Sequence, residues 1–381
     1  MVKLSNILLD SGPCDIVVED GKFLRILPSA STEAPGYAAV PAFFNAHAHN
    51  AMSLVRGYAD DIALESWLND YIWPYEASLQ PSDIRRGSEM AAREMVRTGS
   101  VAMNDMYFDI EETIGVVERT GLKALIGITV MENHSKAESE RKKEFVREWK
   151  DPTGGRIKLA MAPHAVYTVG TEKLRWSAAF ARENGLKIHM HLAETKTEVA
   201  NCVRDFGLTP VRYLDSIGFL GPDVILAHCI YVDKEEWDIL AERGVSVVHC
   251  PCSNMKISSG RFPYELALAS GVNVALGTDG CCSNNNLDMR EEMKFAALLA
   301  KVAGDPTLLP APEVLKWATQ NGARAMGFEN SGRIEEGCDA DFILLDLSAV
   351  PMQPLHNLVS NWVYAADPGC IAAVYCNGKK L

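Results

Sequence analysis

From about residue 38 to residue 278 the chain alternates short, nearly continuous apolar runs with longer segments whose apolar residues recur every three to four positions. Apolar runs of a few residues bounded by turn residues predict buried strands, and the longer pattern predicts amphipathic helices. The strands fall at about 38–46, 100–105, 122–130, 157–163, 187–191, 223–228, 245–249 and 272–278. Helical patterns run over Ser82–Thr98, Glu138–Trp149, Glu172–Asn184 and Lys234–Arg243. Gly99, Gly121, Gly185, Gly244 and Gly271 each stand between a helix and the next strand, where a helix C-terminus favours glycine. Eight such β-then-α units predict a closed parallel (β/α)8 TIM barrel over residues 41–331. Helices from Leu287 onward complete the ring; one starts near Pro312, a favoured first-turn residue, and runs to Ala325.

The two ends follow another rhythm. Asp15-Ile-Val-Val-Glu19 and Phe23-Leu-Arg-Ile-Leu27 are short strand-like pieces broken by Gly21 and Pro28. Ala340–Asp346 and Ile371–Cys376, with the turn Asn377-Gly378, repeat that pattern near the C-terminus. Turn chemistry of this kind predicts antiparallel strands. Residues 1–40 and 332–381 are therefore expected to pair into one small β-sandwich domain.

Charge removes some partners. Fifty acidic against 37 basic residues give a net charge of −13, which disfavours a nucleic-acid partner. No apolar run reaches the ~18 residues of a membrane span, and the start lacks a basic-then-apolar leader. The ten cysteines are scattered and form no Cys-x-x-Cys knuckle. Cys250-Pro-Cys252 and Cys281-Cys282 fit no structural zinc spacing, so free thiols of a cytoplasmic protein are expected.

Candidate chemistry sits where a barrel needs it, at the C-terminal ends of the predicted strands. The first strand closes on His47-Ala-His49, and residues i and i+2 of a strand face the same side. Alone, such a pair is equally well a chance couple of core or surface histidines. The rest of the chain changes that balance. His164 follows strand 4, His189-Met-His191 and Glu194 end strand 5, His228 ends strand 6 and Asp279 ends strand 8. His189 lies one layer deeper than His191 and reads as core. His134 and His356 read as solvated loop residues, and His249 ends strand 7.

The stretches His47-Ala-His49-Asn-Ala-Met-Ser-Leu-Val-Arg56-Gly, Trp67, Pro74-Tyr-Glu76, Pro163-His164, His191-Leu-Ala-Glu194-Thr, Ala227-His228, Ser253-Asn-Met-Lys256, Gly277-Thr-Asp279-Gly and Ser283-Asn-Asn resemble the amidohydrolase superfamily. Within it they are most similar to the 5′-methylthioadenosine/S-adenosylhomocysteine deaminases, and the likeness runs nearly end to end. The resemblance implies that His47, His49, His191 and Asp279 bind one metal, zinc or Fe2+, since three nitrogens and a carboxylate form an open catalytic set for either. It implies that His228 and Asp279 handle the protons of a water, that Glu194 faces the substrate ring, and that Glu76 and His164 contact the sugar or other substrate groups. The implied reaction is hydrolytic deamination of an adenosine-type nucleoside, releasing ammonia. The family also suggests a homo-oligomer. For Glu76 the plainer alternative is an exposed helix-face carboxylate.

Two features bear on substrate and metal count. Binuclear relatives carry a modified lysine at the end of strand 4; here that end reads Ala-Met-Ala-Pro-His164 and Lys158 lies early in the strand, which favours one metal. The segment after strand 3, Glu132-Asn-His-Ser-Lys-Ala-Glu-Ser-Glu-Arg141, is where the related deaminases supply an arginine to the far end of the substrate. Glutamates dominate it here, and Arg141 is the candidate, so a small or neutral 5′ group is expected. The same scaffold leaves open a guanine-like base, a pterin or an aminotriazine as substrate, a binuclear cyclic-amide hydrolase, or a non-enzymatic scaffold.

Overall fold

A computed structural model describes residues 1–62, 66–302 and 304–381. The chain opens with β1 (Val2–Leu9), β2 (Gly12–Glu19), β3 (Lys22–Pro28) and β4 (Tyr37–Pro41). Eight staves follow: β5 (Phe43–His49), β6 (Ser100–Tyr107), β7 (Lys123–Val130), β8 (Ile157–Pro163), β9 (Lys187–Leu192), β10 (Val224–His228), β11 (Ser246–His249), and a last one interrupted into β12 (Asn273–Leu276) and β13 (Asp279–Gly280). All their pairings are parallel. The last stave meets β11 through β12 and β5 through β13, so the sheet returns on itself. This curled parallel sheet with helices between its strands is a TIM-like (β/α)8 fold.

The apolar runs are buried on both faces, which is why they alternate so little. β5 and β6 are buried at every residue, from Phe43 to His49 and from Ser100 to Tyr107. The helices between them start and stop on local chemistry. Lys136–Glu148 begins in a capping box made by Ser135 and Glu138. Ile110–Thr120 ends on Gly121, at φ +82°. The helix expected from Pro312 to Ala325 is two, Ala311–Ala318 and Gln320–Ala325, broken at Thr319 (φ −125°, ψ −90°).

The ends of the chain do pair, but not as two separate sheets. With β14 (Phe342–Asp346), β15 (Ile371–Cys376) and β16 (Lys379–Lys380) they form one seven-stranded ladder, ordered β16-β15-β14-β4-β1-β2-β3. One pairing, β1 with β4, is parallel. The ladder curls until its far edge meets the segment ahead of β14: Phe23 N–H donates to Cys338 O (2.9 Å), Gly337 N–H to Phe23 O (2.7 Å) and Ala340 N–H to Gly21 O (2.8 Å). Inside the curl lie Ile16, Val18, Phe23, Ala340 and Phe342. Sheets of L-residues twist, and the register shifts in β1/β2 and β2/β3 add to that twist locally, which lets a single sheet enclose its own core. The expected two-sheet sandwich is thus replaced by a continuous curled sheet.

Candidate metal centre and active site

Four side chains from three strands, β5 (His47, His49), β9 (His191) and β13 (Asp279), converge. Ligand-type atoms of His47, His49, His191 and Asp279 all lie within 4.8 Å of one another, and all four residues are buried. Among the described residues this is the single group of His, Cys, Asp and Glu so arranged. Ladder register explains the convergence: Asp279 pairs with Ala48, and Ala227, just before His228, pairs with His191. Gly277 permits the approach, because a Cβ there would stand 2.8 Å from the backbone of His47. The strand ends turn sharply into the site. Ala193, His228 and Asp279 take left-handed backbone at φ +50°, +74° and +62°, a conformation costing roughly 1–3 kcal/mol for residues with a Cβ.

Each imidazole is held by its Nδ1, leaving Nε2 directed to the centre. His49 Nδ1 meets Met106 O at 2.7 Å, His191 Nδ1 meets His164 O at 2.8 Å, and His47 Nδ1 meets His189 Nε2 at 3.0 Å. His189 is therefore more than core filler: it orients a member of the cluster, a role its deeper position in β9 concealed. Asp279 Oδ2 accepts from Ser253 Oγ (2.7 Å) and Ser283 Oγ (2.9 Å), while Oδ1 lies 3.3 and 3.2 Å from Nε2 of His47 and His49.

Electrostatics agree with a cation site. Burial pushes His47 and His164 down to about 4 and His191 well below the usual histidine value, so they are neutral and offer a lone pair. Burial opposes a charged His49 as well. Yet the hydrogen bond and charge of Asp279 hold it up at about 9, marking a spot that favours positive charge. The buried Nε2 of His47 has no hydrogen-bond partner, a cost in a folded interior unless something binds it. Neutral imidazoles backed by acceptors, plus one carboxylate, are the donor set of an open zinc site.

A cavity of about 160 Å³ opens over this cluster, and Glu76, Met106, His164, Glu194, His228 and Cys282 help line it. Glu194 accepts from Ser259 Oγ (3.2 Å), and its other oxygen is 3.9 Å from His228 Nε2. Burial raises its carboxyl above the usual range, which suits a proton donor. Glu198 aims it, accepting from the N–H groups of both Ala193 (2.8 Å) and Glu194 (2.9 Å). His228 is oriented by Asn254 (3.0 Å). Glu76 ends the short helix Trp73–Glu76, hydrogen-bonds Tyr107 and is raised by burial, so it is no exposed helix-face carboxylate. His164 Nδ1 meets Thr168 Oγ1 at 2.9 Å.

A scan against family models matches residues 38–381 to the amidohydrolase family. The chain belongs to the amidohydrolase family. This amidohydrolase is 44% identical over 377 residues to a 5′-deoxyadenosine deaminase of Methanosarcina mazei, covering 96% of this chain and 87% of that protein. It is 41% identical over 377 residues to a 5-methylthioadenosine/S-adenosylhomocysteine deaminase of Pelotomaculum thermopropionicum, covering 98% and 86%. Among solved structures, an adenosine deaminase from Xanthomonas campestris with bound zinc superposes with a TM-score of 0.92 at 38% identity, covering 96% of this chain and 88% of that one.

Other expected residues fall outside this amidohydrolase's cluster. Arg141 is exposed on the helix Lys136–Glu148 and lines a neighbouring cavity of about 370 Å³ that shares Tyr107, Phe108 and Thr129 with the first. The helix expected from Glu138 starts two residues earlier, at Lys136, because the Ser135–Glu138 box caps it there, so Arg141 is on a helix rather than in a loop. His134 is half-buried rather than solvated. Its Nδ1 lies 2.6 Å from Lys142 Nζ, which that helix folds back over the loop, and burial lowers its pKa. His356 is exposed as expected. His249 bonds Tyr264 (2.8 Å) and stacks on Phe262, outside the metal-type group. Lys158 sits over the ring of Phe328, at the opposite end of β8 from His164. All ten cysteines are free. Ser253, Asn254, Ser283 and Glu198 had no role assigned from sequence. Their signal was position: each lies within a few residues of a strand-end motif.

Proposed function

We propose that this chain is a zinc-dependent hydrolytic deaminase of adenosine-type nucleosides, such as 5′-deoxyadenosine, 5′-methylthioadenosine, S-adenosylhomocysteine or adenosine itself, with preference for a small or neutral 5′ group. The observation that carries it is one cavity holding a three-histidine, one-aspartate cluster beside a buried carboxyl, Glu194, raised toward its acid form. His47, His49, His191 and Asp279 would hold the metal, one per chain, with Fe2+ as the other candidate. When bound, such a cation lowers the pKa of a water from 15.7 toward about 7. Asp279 and His228 take up the protons of the attacking water. Glu194 donates a proton to the ring nitrogen beside the amino-bearing carbon, making that carbon electrophilic; the water oxygen bonds to it, one proton taken from the water is passed to the amino group, and the C–N bond breaks to release ammonia. Glu76 accepts from the sugar hydroxyls, and His164 lies against the sugar. Arg141 stands at the far end, over the neighbouring cavity.

In the same reading, residues 1–40 and 332–381 act as one β unit and 41–331 as the catalytic barrel. The enzyme works as a homo-oligomer in the cytoplasm, a setting compatible with ten free thiols. An ammonia-release screen of the zinc-loaded protein tests the substrate class. It compares adenosine, its 5′-deoxy and 5′-methylthio forms, S-adenosylhomocysteine, guanine and aminotriazines. Turnover of the adenosine series is expected, fastest with the 5′-deoxy or 5′-methylthio form. Turnover confined to guanine or an aminotriazine overturns the assignment.

A further inference from the structure

Glu292 lies in the helix Met289–Lys301, behind the cavity, and its side chain is fully buried (0% exposed). Among the described residues no basic side chain pairs with it. Burying a carboxyl without a counter-charge is costly, and burial pushes this one up to about 8. Its hydrogen bonds show what the position gains. Oε2 accepts from the backbone N–H of Cys252 (3.1 Å), one of the donors left free in the first turn of the helix Pro251–Lys256. Oε1 accepts from Asn284 Nδ2 (2.6 Å), which also donates to Thr278 O (2.8 Å).

Each anchored residue adjoins one that touches the reacting machinery. Cys252 precedes Ser253, whose hydroxyl bonds Asp279 Oδ2, and Asn254, whose amide meets His228. Asn284 follows Ser283, the second hydroxyl on Asp279 Oδ2. Thr278 precedes Asp279 itself. Three chain segments that fix Asp279 and His228 are thus tied to a single carboxyl group.

We propose that Glu292 is a positioning residue of this enzyme: it holds the helix Pro251–Lys256 and the turn after β13 in register, so that Ser253 and Ser283 aim Asp279 while Asn254 aims His228. The proposal rests on the deaminase reading for its kinetic consequence, but its effect on Asp279 reaches the metal site directly. An amide at this position has one acceptor oxygen and can satisfy only one of the two donors, so Glu292→Gln breaks the tie at nearly constant volume.

The test uses the full zinc-loaded chain and the variants Glu292→Gln, Ser253→Ala and Ser283→Ala, singly and paired. Glu292→Gln is expected to keep a melting temperature near that of the parent. Its kcat on 5′-deoxyadenosine should fall about 10–100-fold with little change in KM, and a chelator should strip zinc about 10–100-fold faster. Ser283→Ala should then cost less in the Glu292→Gln background than in the parent, because both act on one carboxylate. A folded Glu292→Gln protein with unchanged kcat and zinc-release rate overturns the proposal. So do losses that multiply in full with both serine changes, since Glu292 would then be only a local cap. Should Glu292→Gln fail to fold, Asn284→Ala removes one arm and carries the same expectations at several-fold size, and an unchanged zinc-release rate there overturns it equally. If the parent deaminates no adenosine nucleoside, the zinc-release rates still decide the role of Glu292, so the two failures are separable.

Discussion

The two ends of the barrel both bury charge, and they resolve it in opposite ways. At the N-terminal end Lys123, the first residue of β7, is enclosed by Ser331 (2.8 Å), Asp339 (2.8 Å) and Asp341 (2.5 Å), two of them carboxylates from the segment that leads into β14. An ammonium has three protons, and three acceptors meet them. The network closes on itself and fastens the barrel to the curled β sheet. At the C-terminal end His47 Nε2 has no hydrogen-bond partner, three strand ends adopt left-handed backbone, and three imidazoles, two of them held neutral by burial, crowd one carboxylate. The first arrangement matches every proton with an acceptor; the second aligns lone pairs beside a carboxylate, a donor set that suits a cation. The contrast separates a structural charge cluster from a functional one without reference to any relative.

The strongest way to break this comparison is His49→Ala. If the C-terminal cluster exists to hold a cation, the variant should lose metal by elemental analysis and lose at least about 10³-fold in activity while remaining folded. Full metal occupancy would contradict the ligand assignment. Next in size is Lys123→Met, which leaves Asp341 buried and unpaired. Stability should fall by about 3–5 kcal/mol in denaturant unfolding, with kcat per folded molecule unchanged. A change of catalytic rate without loss of stability would erase the distinction between the two ends. Glu194→Gln should cost at least about 10²-fold in kcat with metal content and melting temperature retained. Near-normal turnover would remove Glu194 from proton transfer. The smallest effect is expected for Glu76→Gln: about a tenfold rise in KM for nucleosides, roughly 1.4 kcal/mol, as one charge-assisted hydrogen bond to the sugar weakens. Unchanged KM and kcat would instead favour a substrate without a ribose.

The barrel was legible because its signals are local. The run Ile157–Pro163 coincides with β8, and the patterns over 172–184 and 234–243 lie within a residue of the helices Thr171–Glu183 and Lys234–Glu242. Apolar continuity, capping residues and glycine stops act within a few positions, so a linear reading recovers them. The final stave, expected as 272–278, is split by Gly277 and Thr278, because it must leave β11, pass His47 and join β5. No local pattern announces a strand that changes partners. The curled terminal sheet went unrecognised for the same reason: hydrogen bonds between Phe23 and the segment around Cys338 cross the whole chain.

By itself, then, the sequence determined the strand and helix periodicity and the placement of His47, His49, His191, His228 and Asp279 at strand ends. With its family likeness it also indicated the class of chemistry. Both depend on residue type and short spacing. Tertiary structure alone decided that His189 orients His47, that half-buried Glu76 hydrogen-bonds Tyr107, that Arg141 faces a neighbouring cavity, and that Glu292 ties the segments behind Asp279. Those relations join residues far apart in the chain. They exist only once closure of the barrel has fixed which side chains meet and which donors are left to be satisfied.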